Sequence, residues 1–248
     1  MSKYRCLISC PDAIGIIYKV AKILADNKLN IDENGEFVDA ETHTFFMRSD
    51  LSGNVNCNDL KKELLAVLPR GAKCDLKKIS PKNILIFATK ESHCIGDLLI
   101  RHSANDLDAN ILAVVSNRQD LGDLVGKFNL PFHYVPVTSS NDSLQDRVAH
   151  EQAISNIIED YKPDLIILAK YMRVLSKGFV GNYGSKCLNI HHSFLPAFIG
   201  ANPYKQAYER GVKVIGATAH FVTDELDHGP IVAQSVLPID HRMSWKEM

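Results

Sequence analysis

Two polar clusters in the last quarter of the chain hold the residue types that acyl-group chemistry needs. The first is Leu188-Asn189-Ile190-His191-His192-Ser193-Phe194-Leu195-Pro196, at the end of an expected strand over 186–190. Asn189 and His191 are two residues apart, so on a strand they share a face, and His192 points the other way. The second cluster, Thr223-Asp224-Glu225-Leu226-Asp227-His228-Gly229-Pro230, places carboxylates on a loop between strands. Converging in space, an amide can hold a developing oxyanion and an imidazole can move a proton. A carboxylate can orient that imidazole or activate water. Asn189, His191 and Asp227 are therefore the candidate catalytic residues. His220 and His228 could join His191 and Asp227 around zinc, but no H-x-x-x-H or H-x-H pair occurs and no metal is expected. Leu195-Pro196 is a candidate cis bond.

These residues need a scaffold, and the rhythm from Pro81 onward supplies one. Strands are expected over 84–88, 111–115, 133–135, 164–168 and 186–190, with helices over 95–102, 121–128 and 143–160. Strands over 214–222 and 231–237 follow, joined by the polar loop. Alternating strands and helices imply an α/β fold with a mostly parallel, Rossmann-like sheet. Ligands of such sheets bind beyond the carboxyl ends of the strands. The first such end carries Thr89-Lys90-Glu91-Ser92-His93. It matches neither the G-x-G-x-x-G fingerprint nor the P-loop, so a dinucleotide cofactor and NTP hydrolysis are not expected.

Residues 1–80 have a different order. Strands over 4–10, 30–38, 42–48 and 72–79 and helices over 13–27 and 58–68 give βαββαβ, the ferredoxin-like arrangement. Asp12 is the expected N-cap of the first helix. Ser80-Pro81-Lys82 reads as a linker, giving domains 1–80 and 81–248. Near the other end, Ser244-Trp245-Lys246-Glu247 has the S-x-x-E pattern that opens helices, so a further C-terminal helix is expected beyond Met248.

Composition narrows the function class. With 28 basic and 29 acidic residues, no broad surface for nucleic acid or an anionic membrane is implied. No apolar run approaches the roughly 18 residues of a membrane span, and the N-terminus has no signal-peptide core. The six cysteines form no C-x-x-C pair, so reduced thiols in the cytoplasm are expected.

The residues also carry resemblances. Pro11-Asp12-x-x-Gly15 between the first strand and helix resembles the ACT domain, a small-molecule sensing module. Asn189-x-His191, Leu195-Pro196 and Asp227 thirty-six residues after the histidine resemble the folate-dependent formyltransferase family. So does Leu168-Ala169-Lys170-Tyr171-Met172-Arg173-Val174-Leu175, and the stretch 190–216 is similar as well. An ACT domain joined to such a domain resembles the members of that family that hydrolyse 10-formyltetrahydrofolate.

That resemblance implies tetrahydrofolate and formate as products, with formate feeding purine synthesis and one-carbon balance. It implies a pterin pocket walled by Tyr171, Met172, Arg173, Val174, Leu175, Phe179 and Val180 on one side and Val222, Thr223 and Asp224 on the other. It also implies an amino-acid effector such as glycine or methionine near Asp12, Gly15, Asn30 and Ile31, a homo-oligomer, and no tightly bound cofactor. The family's glycinamide ribonucleotide transformylases grip phosphate with a glycine-rich turn where this chain has Thr89-Lys90-Glu91-Ser92-His93-Cys94. That departure favours water as acceptor. No tRNA-binding extension is read in these residues. Two other readings stay open: formyl transfer to an unidentified amine, and a non-catalytic folate- or amino-acid-binding regulator.

Overall fold

Alternate residues of the first strand, Tyr4, Cys6, Ile8 and Cys10, are buried, as expected where one sheet face is covered. The computed structural model describes residues 1–137, 144–198 and 202–247, without the side chains of Leu144 and Gln145. It divides into two compact units, Met1–Ser80 and Pro81–Met248.

The first unit runs β1 (Ser2–Pro11), α1 (Ile16–Asp26), β2 (Asn30–Asp39), β3 (Thr44–Gly53), α2 (Cys57–Val67) and β4 (Lys73–Lys78). Its sheet has the order β2-β3-β1-β4, antiparallel throughout. The buried side chains of β1 pack with Val20 and Leu24 of α1 and with Leu60 and Leu64 of α2. On the open face, Leu7, Phe37 and Phe46 line a hollow of about 620 Å³.

Two details differ from the sequence expectation. Asp12 is not the helix N-cap: α1 starts at Ile16, and Gly15 occupies the cap position with φ of 82°, a left-handed conformation that favours glycine. The Asp12 amide instead donates to the His43 carbonyl at 2.9 Å. In α2 the cap lies just ahead of the expected start. Asn56 Oδ1 accepts from the amides of Asn58 at 2.9 Å and Asp59 at 3.4 Å.

The second unit comprises β5 (Lys82–Ala88), α3 (Ser92–Ser103), β6 (Ala109–Ser116), α4 (Gly122–Gly126), β7 (Phe132–Tyr134), α5 (Leu144–Tyr161), β8 (Leu165–Leu168), α6 (Lys177–Tyr183), β9 (Cys187–His191), α7 (Pro203–Glu209), β10 (Val214–Phe221) and β11 (Ile231–Pro238). The sheet order is β11-β10-β9-β8-β5-β6-β7. Pairs from β7 to β9 are parallel, and β10 and β11 add on antiparallel. The central strands are buried on both faces. Leu85, Phe87, Val115, Ile166 and Leu168 pack with Ile154 and Ile158 of α5. Ile84, Ile86, Val114 and Ile167 pack with Ile95 and Leu99 of α3.

The chain leaves β5 toward β6 and β7 on one side, then returns to β8 and β9 on the other. This reversal opens a crevice at the carboxyl ends of the strands, where open α/β sheets bind ligands.

α6 and α7 lay outside the sequence reading. Ser176 caps α6, its Oγ accepting from the Phe179 amide at 3.2 Å, and Pro203 starts α7 at a position where a missing N–H costs nothing. The expected start of α5 at Ser143 lies outside the described residues. The Leu195-Pro196 bond is cis. The amide and hydroxyl of Ser244 both donate to Glu247 Oε2 at 2.7 Å.

Candidate active site

The strand β9 ends on the site. Asn189 and His191 share its face as the two-residue period requires, and β10 runs antiparallel beside it with His220 opposite Asn189 and Thr218 opposite His191. Thr218 ties down the chain that leaves β9. Its hydroxyl donates to the Ser193 carbonyl at 2.8 Å and accepts from the Leu195 amide at 3.1 Å. Gln234 on β11 also donates to the Leu195 carbonyl, at 2.8 Å.

The loop after β10 brings in the carboxylate. Val222 donates to the Cys187 carbonyl at 3.0 Å, and the Phe221 amide donates to the Pro230 carbonyl at 2.9 Å, so the loop folds back on its own strand. Gly229 makes that return possible, because a Cβ there would collide with the Phe221 carbonyl oxygen. At the loop's tip Asp227 has φ of 58°, a left-handed conformation uncommon for a side-chain-bearing residue.

The result is a buried chain of polar groups. Asp227 Oδ2 lies 3.4 Å from His191 Nδ1, and Asp227 Oδ1 lies 3.6 Å from His220 Nε2. His220 Nε2 is also 3.3 Å from Asn189 Nδ2, and His220 Nδ1 is 2.9 Å from the Phe221 carbonyl. A carbonyl only accepts, so His220 Nδ1 carries a hydrogen. In a neutral ring, Nε2 then accepts from the Asn189 amide. His191 Nε2 is buried and has no hydrogen-bond partner among the described residues. A buried polar atom left unpaired is costly unless a ligand or water meets it.

These groups open onto a cavity of about 510 Å³ over the ends of β8 and β9. Tyr171, Met172, Arg173, Val174, Leu175 and Val180 form one wall, and Val222, Thr223 and Asp224 form another. Phe179 does not line it. That side chain is buried beneath, its ring centroid 4.9 Å from that of Tyr183, because α6 turns it toward the core.

His192 also reaches the cavity, between the rings of His191 and Tyr204 at 5.5 Å each. Burial, with Lys170 and His191 nearby, holds its pKa below the usual imidazole value. Among the described residues, no group of three His, Cys, Asp or Glu could hold a metal ion. Asp12 and Gly15 lie in the turn before α1, and Asn30 and Ile31 begin β2; all four are exposed.

His220 is the site residue that the sequence reading weighed only as a metal ligand. Its signal was available in the β9–β10 pairing, which sets it across from Asn189, but pairing partners are not visible along one chain. An amide donor, an imidazole with a free nitrogen and a carboxylate behind it, beside a largely apolar cavity, can hydrolyse or transfer an acyl group.

Residues 82–248 match the sequence pattern of the formyl transferase family. The chain is 49% identical over 248 residues to formyltetrahydrofolate deformylase of Haemophilus influenzae, covering 100% of this chain and 87% of that protein. The crystal structure of a formyltetrahydrofolate deformylase from Pseudomonas syringae pv. tomato superposes with a TM-score of 0.86 at 35% identity, covering 100% of this chain and 83% of that one. A phosphoribosylglycinamide formyltransferase from Coxiella burnetii gives a TM-score of 0.61 at 31% identity, covering 67% of this chain and 77% of that one.

Proposed function

As the chain belongs to the formyl transferase family and, within it, to the formyltetrahydrofolate deformylases, we propose that it hydrolyses 10-formyltetrahydrofolate to tetrahydrofolate and formate. The observation that carries this reading is the Asn189–His191–Asp227 constellation at the edge of the cavity, with His191 Nε2 buried and without a hydrogen-bond partner among the described residues. The pterin lies between the 171–175 wall and the 222–224 wall, whose apolar side chains suit a flat heterocycle.

Water adds to the formyl carbon. His191 Nε2 takes the water proton as the C–O bond forms, and the Asn189 amide donates to the oxyanion. Such a donor is typically worth about 10²–10³ in rate. The C–N bond then breaks as His191 returns the proton to the folate nitrogen, leaving tetrahydrofolate and formate. Asp227, at 3.4 Å from His191 Nδ1, holds the ring in the tautomer that leaves Nε2 free to accept and steadies the imidazolium that forms.

Acceptor choice follows from two features. The deformylase structure matches the whole chain, whereas the glycinamide formyltransferase matches only 67% of it. The turn after β5 also carries Glu91 where a phosphate-bearing acceptor would be repelled.

The first unit acts as an ACT-like regulatory module. Its βαββαβ order and the left-handed Gly15 in the first βα turn support this. An amino acid such as glycine or methionine binds around Asp12, Gly15, Asn30 and Ile31, and the chain works as a homo-oligomer in the cytoplasm, supplying formate for purine synthesis. The test is formate release from 10-formyltetrahydrofolate without any amine, for the unmutated chain and His191→Ala, titrated with glycine and methionine. Turnover that requires an amine would make the chain a transferase. Turnover unchanged in His191→Ala would remove the proposed mechanism.

A further inference from the structure

The cavity wall formed by residues 171–176 belongs to no helix or strand, and it leaves Met172 and Val174 more than half exposed. Such a segment orders poorly unless other parts of the fold hold it. Thr89, His150 and Glu151 do so. Thr89 Oγ1 accepts from the Met172 amide at 3.0 Å. His150 Nε2 lies 2.8 Å from the Tyr171 hydroxyl. Glu151 accepts from the Ser176 amide at 2.7 Å with Oε1 and from the Ser176 hydroxyl with Oε2. His150 and Glu151 are consecutive in α5, so one point on a single helix grips both ends of the wall.

The direction of the first bond can be assigned. His150 Nδ1 lies 3.3 Å from the Pro136 carbonyl, which only accepts, so Nδ1 carries the hydrogen and Nε2 accepts from Tyr171. Burial pushes the imidazole pKa down and the phenol pKa up, and both changes keep the pair neutral. At the other end, Ser176 is also the N-cap of α6, so Glu151 fixes the loop and the start of a helix together. Neither His150 nor Glu151 lines the cavity.

We propose that His150 and Glu151 are positioning residues for substrate binding, holding the 171–176 wall in the shape a reduced folate meets. The identity of that ligand rests on the proposed function; the grip itself does not. A wall held in its binding shape lowers the ordering cost of association, so the effect falls on affinity rather than on the chemical step.

The experiment measures the Kd for tetrahydrofolate by calorimetry and, in parallel, KM and kcat for formate release. The proteins are the full chain, Tyr171→Phe, His150→Ala, their double variant, and Glu151→Ala. His150→Ala and Glu151→Ala are each expected to raise Kd and KM about tenfold while kcat stays within about twofold, and Tyr171→Phe, whose ring lines the cavity, to raise Kd about tenfold. The double variant should be no weaker than the weaker of its two parents, because both break one bond.

Single effects that multiply in the double variant would overturn the proposal, as would an unchanged Kd with a fallen melting temperature or kcat. Failure of the full chain to bind tetrahydrofolate would overturn it too. Weakened binding in the variants of a chain that releases no formate would leave the positioning role standing and sink the deformylase reading.

Discussion

Asn189 on β9 and His220 on β10 are direct cross-strand partners, and the amide nitrogen of one lies 3.3 Å from Nε2 of the other. Because the Phe221 carbonyl holds the hydrogen on His220 Nδ1, Nε2 can only accept from a neutral ring. In that form the Asn189 amide nitrogen is the donor it accepts from. Preorganised donors of this kind stabilise a developing oxyanion without reorganising during the reaction.

Replacing Asn189 by Ala should lower kcat by about 10²–10³, the usual cost of one oxyanion donor. His220→Ala leaves that donor present but unaligned, so a smaller loss of about tenfold in kcat is expected, with KM little changed. Steady-state kinetics of the two variants and their double separates the roles. The double should be no slower than Asn189→Ala. An additive loss would show that His220 acts independently of the amide.

Asp227→Asn should cost about 10²–10⁴ in kcat, because an amide opposite His191 Nδ1 can favour the tautomer whose Nε2 cannot accept a proton. Folate binding should hold within a few-fold, since the substitution keeps the shape. Nitrogen-15 NMR of the histidine rings would show the tautomer change. Full activity with unchanged ring signals would refute the assignment.

Much of this site was legible in the sequence, for a physical reason. Asn189 and His191 sit on one strand, where a spacing of two fixes a common face whatever the rest of the chain does. Asp227 could be placed on a polar loop between strands, whereas the walls at 171–175 and 222–224 were expected only from the family resemblance. Phe179, which the family resemblance puts in the wall, lies buried beneath it; α6 has only seven residues, and its two turns give too little periodicity to show from sequence which face is buried. α7, equally short, was missed for the same reason. The grip of His150 and Glu151 on Tyr171 and Ser176 spans twenty-one and twenty-five residues, and tertiary packing of α5 alone creates it.

Histidine burial predicts a pH response in stability. His150 and His192 both have pKa values lowered chiefly by burial. For a group depressed in the folded state, the unfolded chain takes up the proton first as pH falls. Stability is therefore fully present above the unfolded value of about 6.5 and declines below it, through the folded values. Melting temperature should hold from pH 8 to 7 and fall toward pH 5.5, less steeply in His192→Asn. A steeper fall in that variant would contradict the sign.

Gly229 lets the 222–230 loop fold back on its own strand and does not line the cavity. A Cβ at this position would strike the Phe221 carbonyl, so Gly229→Ala must push the 222–230 loop away from β10. The collision lies two residues from Asp227, whose place opposite His191 and His220 depends on that fold-back. A shift of about 1 Å in a catalytic group can cost about 10² in rate. The loop lies at the surface end of the sheet and contributes little to the buried core, so the melting temperature should change much less than kcat. The measurement is kcat for formate release beside a thermal melt. A large loss of stability with kcat per folded molecule unchanged would show that Gly229 serves the fold rather than the position of Asp227.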